Sequence, residues 1–262
     1  MTRDLAAIAR RAIACLDLTN LDDACDAAAI TALCARARTP HGPVAAVCVW
    51  PAFVAQARAE LDGSGIRVAT VVNFPGGDEP IAKILAETSA ALGRGAEEID
   101  LVVPWRAVGE DHAERVSDLV RAIKAVCGPA PLKAILETGE LADPGRIRLA
   151  AEAALAGGAD FLKTSTGKVA VNATPEAAEI LLQAIRESGR DVGLKPAGGV
   201  RDTGDAAVYL ALCDRIMGPD WATPSHFRIG ASGVLAALLA TMDGDRAGLD
   251  AAASPAEGST PY

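Results

Sequence analysis

Eight short apolar runs, each followed by a helix-like segment, limit what this chain can fold into more than any other feature. The runs are AIACLDL (12–18), VAAVCVW (44–50), RVATVVN (67–73), EIDLVVP (98–104), LKAILET (132–138), DFLKTS (160–165), DVGLKP (191–196) and HFRIGAS (226–232). Between them lie Ala-rich segments such as DEPIAKILAETSAALGRGA and TPEAAEILLQAIRESGR. These carry apolar residues three and four apart and acidic residues near their starts. In the second, Thr174 is placed as an N-cap, Pro175 sits at the first helical position and Gly189 closes the helix. Strand alternating with helix eight times predicts parallel βαβ units. At 262 residues, this favours a single-domain α/β fold, a closed (β/α)8 TIM barrel over residues 1–243, rather than an open doubly wound sheet. Residues 244–262, GDRAGLDAAASPAEGSTPY, are small and polar and read as a flexible tail ending in Tyr262.

Half of the residues are hydrophobic but only 3% are aromatic, so the core must be built from Ala, Val, Leu and Ile. A formal net charge of −9 argues against nucleic acid or an anionic membrane as the main partner. It leaves room for a local anion site. The six cysteines include no C-x-x-C pair and read as buried thiols in a reducing cytosol. The N-terminus has no sustained apolar stretch, and no run approaches the roughly 18 residues of a membrane span. A soluble, cytoplasmic protein is expected. His41, His112 and His226 are scattered, and no metal site or other cofactor is expected.

Lysine is scarce. Nineteen Arg and six Lys supply the positive charge, and only lysine can lose its proton to become a nucleophile. In a barrel of this kind, active sites collect at the C-terminal ends of the strands. Asp17, Cys48, Asn73, Asp100, Glu137, Lys163 and Lys195 fall at or near those ends. Lys163 could reach solvent or pair with Asp100 or Glu137 as structural glue. It could equally be a Schiff-base nucleophile, with Lys195 on the adjacent strand holding it neutral. Two like charges about 6 Å apart at an effective dielectric of about 20 repel by roughly 3 kcal/mol, about two pKa units. Desolvation would add about one more. Asp100 reads either as a salt-bridge partner or as a proton shuttle beside the amine. Lys133 reads as a barrel-interior charge paired with a carboxylate. Gly198 and Gly199 in KPAGGVR, Gly230 and Gly233 in IGASG, and Gly167 in STGK mark loops suited to a phosphate, where backbone N–H groups and a helix N-terminus face the ligand.

The segments DLTNL, VCVWP, ATVVNFPGG, EIDLVVPW, KAILETGEL, DFLKTSTGKVAVNATPE, GLKPAGGVR and RIGASG, in this order from Asp17 to about Leu239, resemble the deoxyribose-phosphate aldolase family. The resemblance implies a class I, metal-independent aldolase that interconverts 2-deoxy-D-ribose 5-phosphate with D-glyceraldehyde 3-phosphate and acetaldehyde. By motif, Lys163 matches the Schiff-base lysine, Lys195 the lysine that perturbs it and Asp100 the proton-relay aspartate. Asp17 and Cys48 match substrate-contact positions. Thr166, Gly167, Lys168, Gly198, Gly199, Gly230 and Ser232 match the substrate and phosphate cradle, and Tyr262 matches a C-terminal tyrosine of some members. Gly233 replaces a second serine found in many members, and Trp50 and Trp105 stand where smaller aromatics are expected. A different Schiff-base aldolase or transaldolase, or a silent sugar-phosphate-binding barrel, remains an alternative. Barrels of this kind often dimerise, so a homodimer stays open.

Overall fold

The computed structural model describes residues 4–109 and 113–253, with side chains as far as Gly244. All eight runs form strands: β1 Leu16–Asn20, β2 Ala46–Val49, β3 Arg67–Val72, β4 Glu98–Val102, β5 Leu132–Ile135, β6 Phe161–Lys163, β7 Gly193–Lys195 and β8 Ile229–Ala231. They pair in parallel in chain order, with β8 returning to β1. Parallel bridges Leu194–Phe227 and Ala197–Gly230 join β7 to β8 and close the cylinder. The fold is a (β/α)8 barrel.

One boundary differs from the sequence reading. Residues 12–14 belong to a helix, Leu5–Ala14, and β1 begins only at Leu16. Asp4 caps this helix by accepting the Ala7 amide at 3.0 Å, and Ala6, Ala9, Ala12 and Ile13 form its buried face. The apolar end of the helix runs into the apolar start of the strand, so composition alone does not separate them. The helix packs on the helices Thr203–Met217 and Val234–Ala253. The latter carries the backbone ten residues beyond residue 243, where the composition changes. Tyr262 lies outside the described residues. The helix Pro175–Ser188 matches expectation: the Thr174 hydroxyl accepts the Ala177 amide at 3.1 Å and Gly189 ends it in the left-handed conformation.

Side chains alternate across a strand, and here the two faces have opposite chemistry. Outward-facing Leu16, Leu18, Val47, Val49, Ile99, Leu101, Leu162, Leu194 and Ile229 join one aliphatic core shared with the helices. The inward face carries Asp17, Glu98, Asp100, Lys133, Lys163 and Lys195, all buried. It also carries apolar side chains: Val102, Ile135 and Phe161, and a small cluster of Leu21, Cys48, Ala69 and Val71 with Trp50 and Phe74 at its edge. A barrel interior is more often filled by Val, Ile and Leu. This one is ionic.

At the lower end of that interior, Gly193 lets β7 pass close to Phe161. A Cβ at position 193 would overlap both the Phe161 ring and the His226 carbonyl oxygen. Gly193→Ala is therefore expected to destabilise the protein by about 1–3 kcal/mol or more, as overpacking does, measured by urea denaturation.

Candidate active site

The strand registers set Asp100 beside Lys133 and Lys163 beside Lys195. Their side chains converge on the barrel axis. The Asp100 carboxylate accepts hydrogen bonds from all three lysines: Lys133 at 2.8 Å on Oδ1, and Lys163 and Lys195 at 2.8 and 2.7 Å on Oδ2. Lys195 Nζ also lies 2.6 Å from Asp17 Oδ2, and Lys133 Nζ lies 2.6 Å from Glu98 Oε2. Arg228 completes the network, donating to Asp17 at 2.7 Å and to both Glu98 oxygens at 2.7 and 3.0 Å.

The buried members are four cations (Lys133, Lys163, Lys195, Arg228) and three carboxylates (Asp17, Glu98, Asp100). With every group ionised the cluster carries one surplus positive charge, which a low-dielectric interior disfavours. Each group responds differently. Burial disfavours the charged form of Lys195, but Asp100 and Asp17 outweigh it and raise its pKa. Lys133 is raised in the same way by Asp100 and Glu98, and Arg228 by Asp17 and Glu98. Among the described residues, Lys163 has only Asp100 as an ion-pair partner. Burial, helped by the charge of Lys195, outweighs that contact and lowers its pKa. The surplus proton is thus held least firmly on Lys163. The sequence argument gave the like charge the larger share. The structure reverses that order, because burial dominates and Lys195 comes after it.

Lys163 is also the one of these four cations that lines the open cavity at the C-terminal mouth of the barrel, a space of about 640 Å³. Thr166, Gly167, Lys168, Gly198, Gly230 and Ser232 line it as well. Gly230 leaves room for the lysine below it, since a Cβ there would press on Lys195 Cε and Ala197. Gly198 and Gly199 take φ of 75° and 82°, a turn that favours glycine. The Gly198 amide is occupied, donating to the Gly230 carbonyl at 3.0 Å. Gly199 is exposed and lies outside the cavity lining. The helix Val234–Ala253 starts just past Gly233 and the cavity-lining Ser232, and the first amides of a helix have no intrahelical partner. No atom lies within 4 Å of a Cβ built at Gly233.

Other expected residues sit elsewhere. Asp17, Asp100 and Lys195 form a fully buried layer behind Lys163, with Asp17 held to Lys195 at 2.6 Å. Cys48 is fully buried in the small apolar patch, and burial pushes its thiol pKa up. Lys168 lies 3.5 Å from Asp23 and 5.9 Å above the Trp50 ring. Trp105 carries Arg106 on its face at 4.0 Å, and neither tryptophan lines the cavity. Glu98 and Arg228 were not singled out in the sequence. The clue for both was the same as for Asp100, a charge inside an apolar strand run.

The arrangement supplies an amine facing a cavity with its pKa lowered by burial, a carboxylate within hydrogen-bond reach of it and a helix start next to the cavity-lining Ser232. This is the equipment of carbonyl chemistry on a phosphorylated substrate. The profile of the DeoC/LacD family aldolases matches residues 11–236. The chain belongs to the DeoC/LacD aldolase family. It is 55% identical over 231 residues, 87% of this chain and 89% of the other, to the deoxyribose-phosphate aldolase of Agrobacterium fabrum. The barrel of this DeoC/LacD aldolase also superimposes on an apo-form crystal structure from Toxoplasma gondii, provisionally described as a deoxyribose-phosphate aldolase. The TM-score is 0.83 at 31% identity, covering 92% of this chain and 98% of that one. A similarly described protein of Coccidioides immitis gives a TM-score of 0.77 at 27% identity over 89% and 86% of the two chains. No helix among the described residues is long and apolar enough to cross a membrane.

The network makes a stability prediction. Arg228 is the second cation on Asp17 beside Lys195 and on Glu98 beside Lys133, so Arg228→Met, which removes its buried charged hydrogen bonds, is expected to cost about 2 kcal/mol or more in urea denaturation.

Proposed function

We propose that this aldolase interconverts 2-deoxy-D-ribose 5-phosphate with D-glyceraldehyde 3-phosphate and acetaldehyde through a Schiff base on Lys163. The observation that carries the reading is the buried, cavity-facing amine of Lys163, held 2.8 Å from Asp100 with its pKa lowered. The 55% identity to the Agrobacterium fabrum enzyme supports the choice of substrate.

In the synthetic direction, neutral Lys163 adds to the carbonyl carbon of acetaldehyde, and a proton passes from nitrogen to the new hydroxyl. Protonation and loss of water give an iminium. Its positive nitrogen draws electrons from the neighbouring carbon, which gives up a proton to leave the enamine. Asp100, the carboxylate bonded to Lys163, handles these transfers through a water, and Lys195 on the same oxygen stabilises its charge. The enamine carbon attacks the aldehyde of glyceraldehyde 3-phosphate, and hydrolysis releases the product. The phosphate is held at the end of the cavity formed by Gly167, Lys168, Gly230, Ser232 and the start of the helix Val234–Ala253, fixing the aldehyde against the enamine. Gly198 shapes this pocket by its turn, whereas Asp17 and Cys48 act from behind it. All six cysteines are free thiols, in keeping with a cytoplasmic location.

Borohydride reduction with acetaldehyde, followed by peptide mass mapping, is expected to place an ethyl group on Lys163 and to give none in Lys163→Ala. A folded protein that binds deoxyribose 5-phosphate without forming the adduct would be a binding protein, and preference for a dihydroxyacetone donor would indicate a transaldolase.

The trapping rate should depend on pH in a defined sense. A lowered pKa means that the neutral amine appears at lower pH than the roughly 10.4 of free lysine. The rate should therefore rise with pH and level off below that value. Lys195→Leu removes a like charge and leaves Asp100 freer to hold the proton on Lys163, so both effects raise the Lys163 pKa. Its rising limb should move to higher pH by about one unit or more, with trapping at pH 7 slowed about tenfold.

A further inference from the structure

One buried carboxylate at the rim takes no part in the reaction described above. Glu137 stands two residues past β5 with its side chain 1% exposed. Its backbone is left-handed (φ 53°, ψ 55°), a conformation that residues with a Cβ rarely adopt and that surrounding contacts must enforce. Those contacts lead to the cavity. Glu137 Oε1 accepts the Thr166 amide at 3.1 Å, and the Thr166 hydroxyl accepts the Lys168 amide at 3.0 Å. Gly167, between them, is left-handed as well, with φ 88°. The cavity-lining turn Thr166–Gly167–Lys168 therefore hangs from one carboxylate on a neighbouring strand end.

The same seam is braced from behind. The Thr138 amide donates to the Thr164 carbonyl at 2.9 Å. Gly139 abuts the Val171 carbonyl so closely that a Cβ there would overlap it. Two buried hydroxyls beside Glu137 and Thr166, those of Thr138 and Ser165, have no hydrogen-bond partner among the described residues.

We infer that Glu137 is a positioning residue for the substrate phosphate. It fixes the turn 166–168 so that the Gly167 amide and the Lys168 side chain are presented beside Lys163, although β5 itself lines no part of the cavity. The inference rests on reading that cavity as a sugar-phosphate site. Alanine at 137 leaves the buried Thr166 amide without its acceptor and releases the turn. Glutamine keeps an oxygen in the accepting position.

The test compares KM for 2-deoxyribose 5-phosphate with KM for unphosphorylated 2-deoxyribose in the full-length enzyme. Glu137→Ala is expected to raise the first about tenfold relative to the second, and Glu137→Gln to recover most of that loss. Thr166→Val, which cuts the link to Lys168 but keeps the bond to Glu137, should shift the ratio in the same direction by a smaller factor. It provides the test if the alanine variant does not fold. Equal factors for the two substrates, or an unmoved ratio in both Glu137→Ala and Thr166→Val, would overturn the role given to Glu137. Acetaldehyde trapping on wild-type Lys163 separates the two readings. Wild-type protein that traps acetaldehyde while the variants leave the ratio unmoved removes only the inference, whereas wild-type protein that traps none removes the aldolase reading beneath it.

Discussion

A single carboxylate, Asp100, binds three ammonium groups inside a closed barrel. Burying an ion is costly, and an attraction repays that cost only when the geometry is close and every remaining charge is met. Asp100 alone could not meet three cations. Asp17 and Glu98 share two of them, and Arg228 ties those two carboxylates together from the lower end. The aliphatic core had to be placed elsewhere, between the sheet and its helices, and there it forms one continuous cluster. A chain with 3% aromatic residues can build such a core because Ala-rich helices approach the sheet closely. The division of labour follows from strand alternation: one face stabilises the fold and the other holds charge.

That division also explains where reactivity appears. Removing protons from a network with one surplus positive charge is easiest at the member with the fewest anionic partners. Lys195 and Lys133 each contact two or more carboxylates and are held charged. Lys163 contacts one, and it occupies the top of the stack where β6 ends at the cavity. The nucleophile is therefore selected by connectivity as much as by any one neighbour. Lys195 acts in two opposed ways, repelling the Lys163 proton directly and engaging the carboxylate that would otherwise retain it.

Much of this was legible in the sequence, and the parts that were not share a cause. The eight strands were visible because each is a short apolar run bounded by polar segments. Lys163, Lys195 and Asp100 stood out because charge inside such a run is expensive and the chain otherwise prefers arginine. Glu98 and Arg228 break the same rule, yet each sits near the start of its run, where a charge reads as solvated. Only closure of the barrel, which brings residue 228 against residues 17 and 98, reveals them as interior. The helix Leu5–Ala14 was hidden because its apolar end is continuous with β1. Motif position placed Asp17 and Cys48 near the substrate, but depth along the barrel axis is a property of register and tilt that spacing does not encode.

Strain in the backbone is distributed with the same logic. Among the described residues, three without the freedom of glycine take positive φ: Asn73, Glu137 and Ala142. Asn73 stands immediately after β3 and Glu137 two residues past β5. Each ties its own loop to the next strand or loop through a buried side chain: Asn73 donates to the Val102 carbonyl at 2.7 Å, and Glu137 accepts the Thr166 amide. A left-handed residue turns the chain sharply as it leaves the sheet, and its side chain is then free to reach sideways rather than outward. The rim gains rigidity from bonds between adjacent loops, which the strand ladder below cannot supply because it has already ended. Such strain persists only where neighbours over-determine it. The ionic interior and the aliphatic shell supply that constraint, and the strained rim in turn holds the loops that face the substrate at a fixed distance from Lys163.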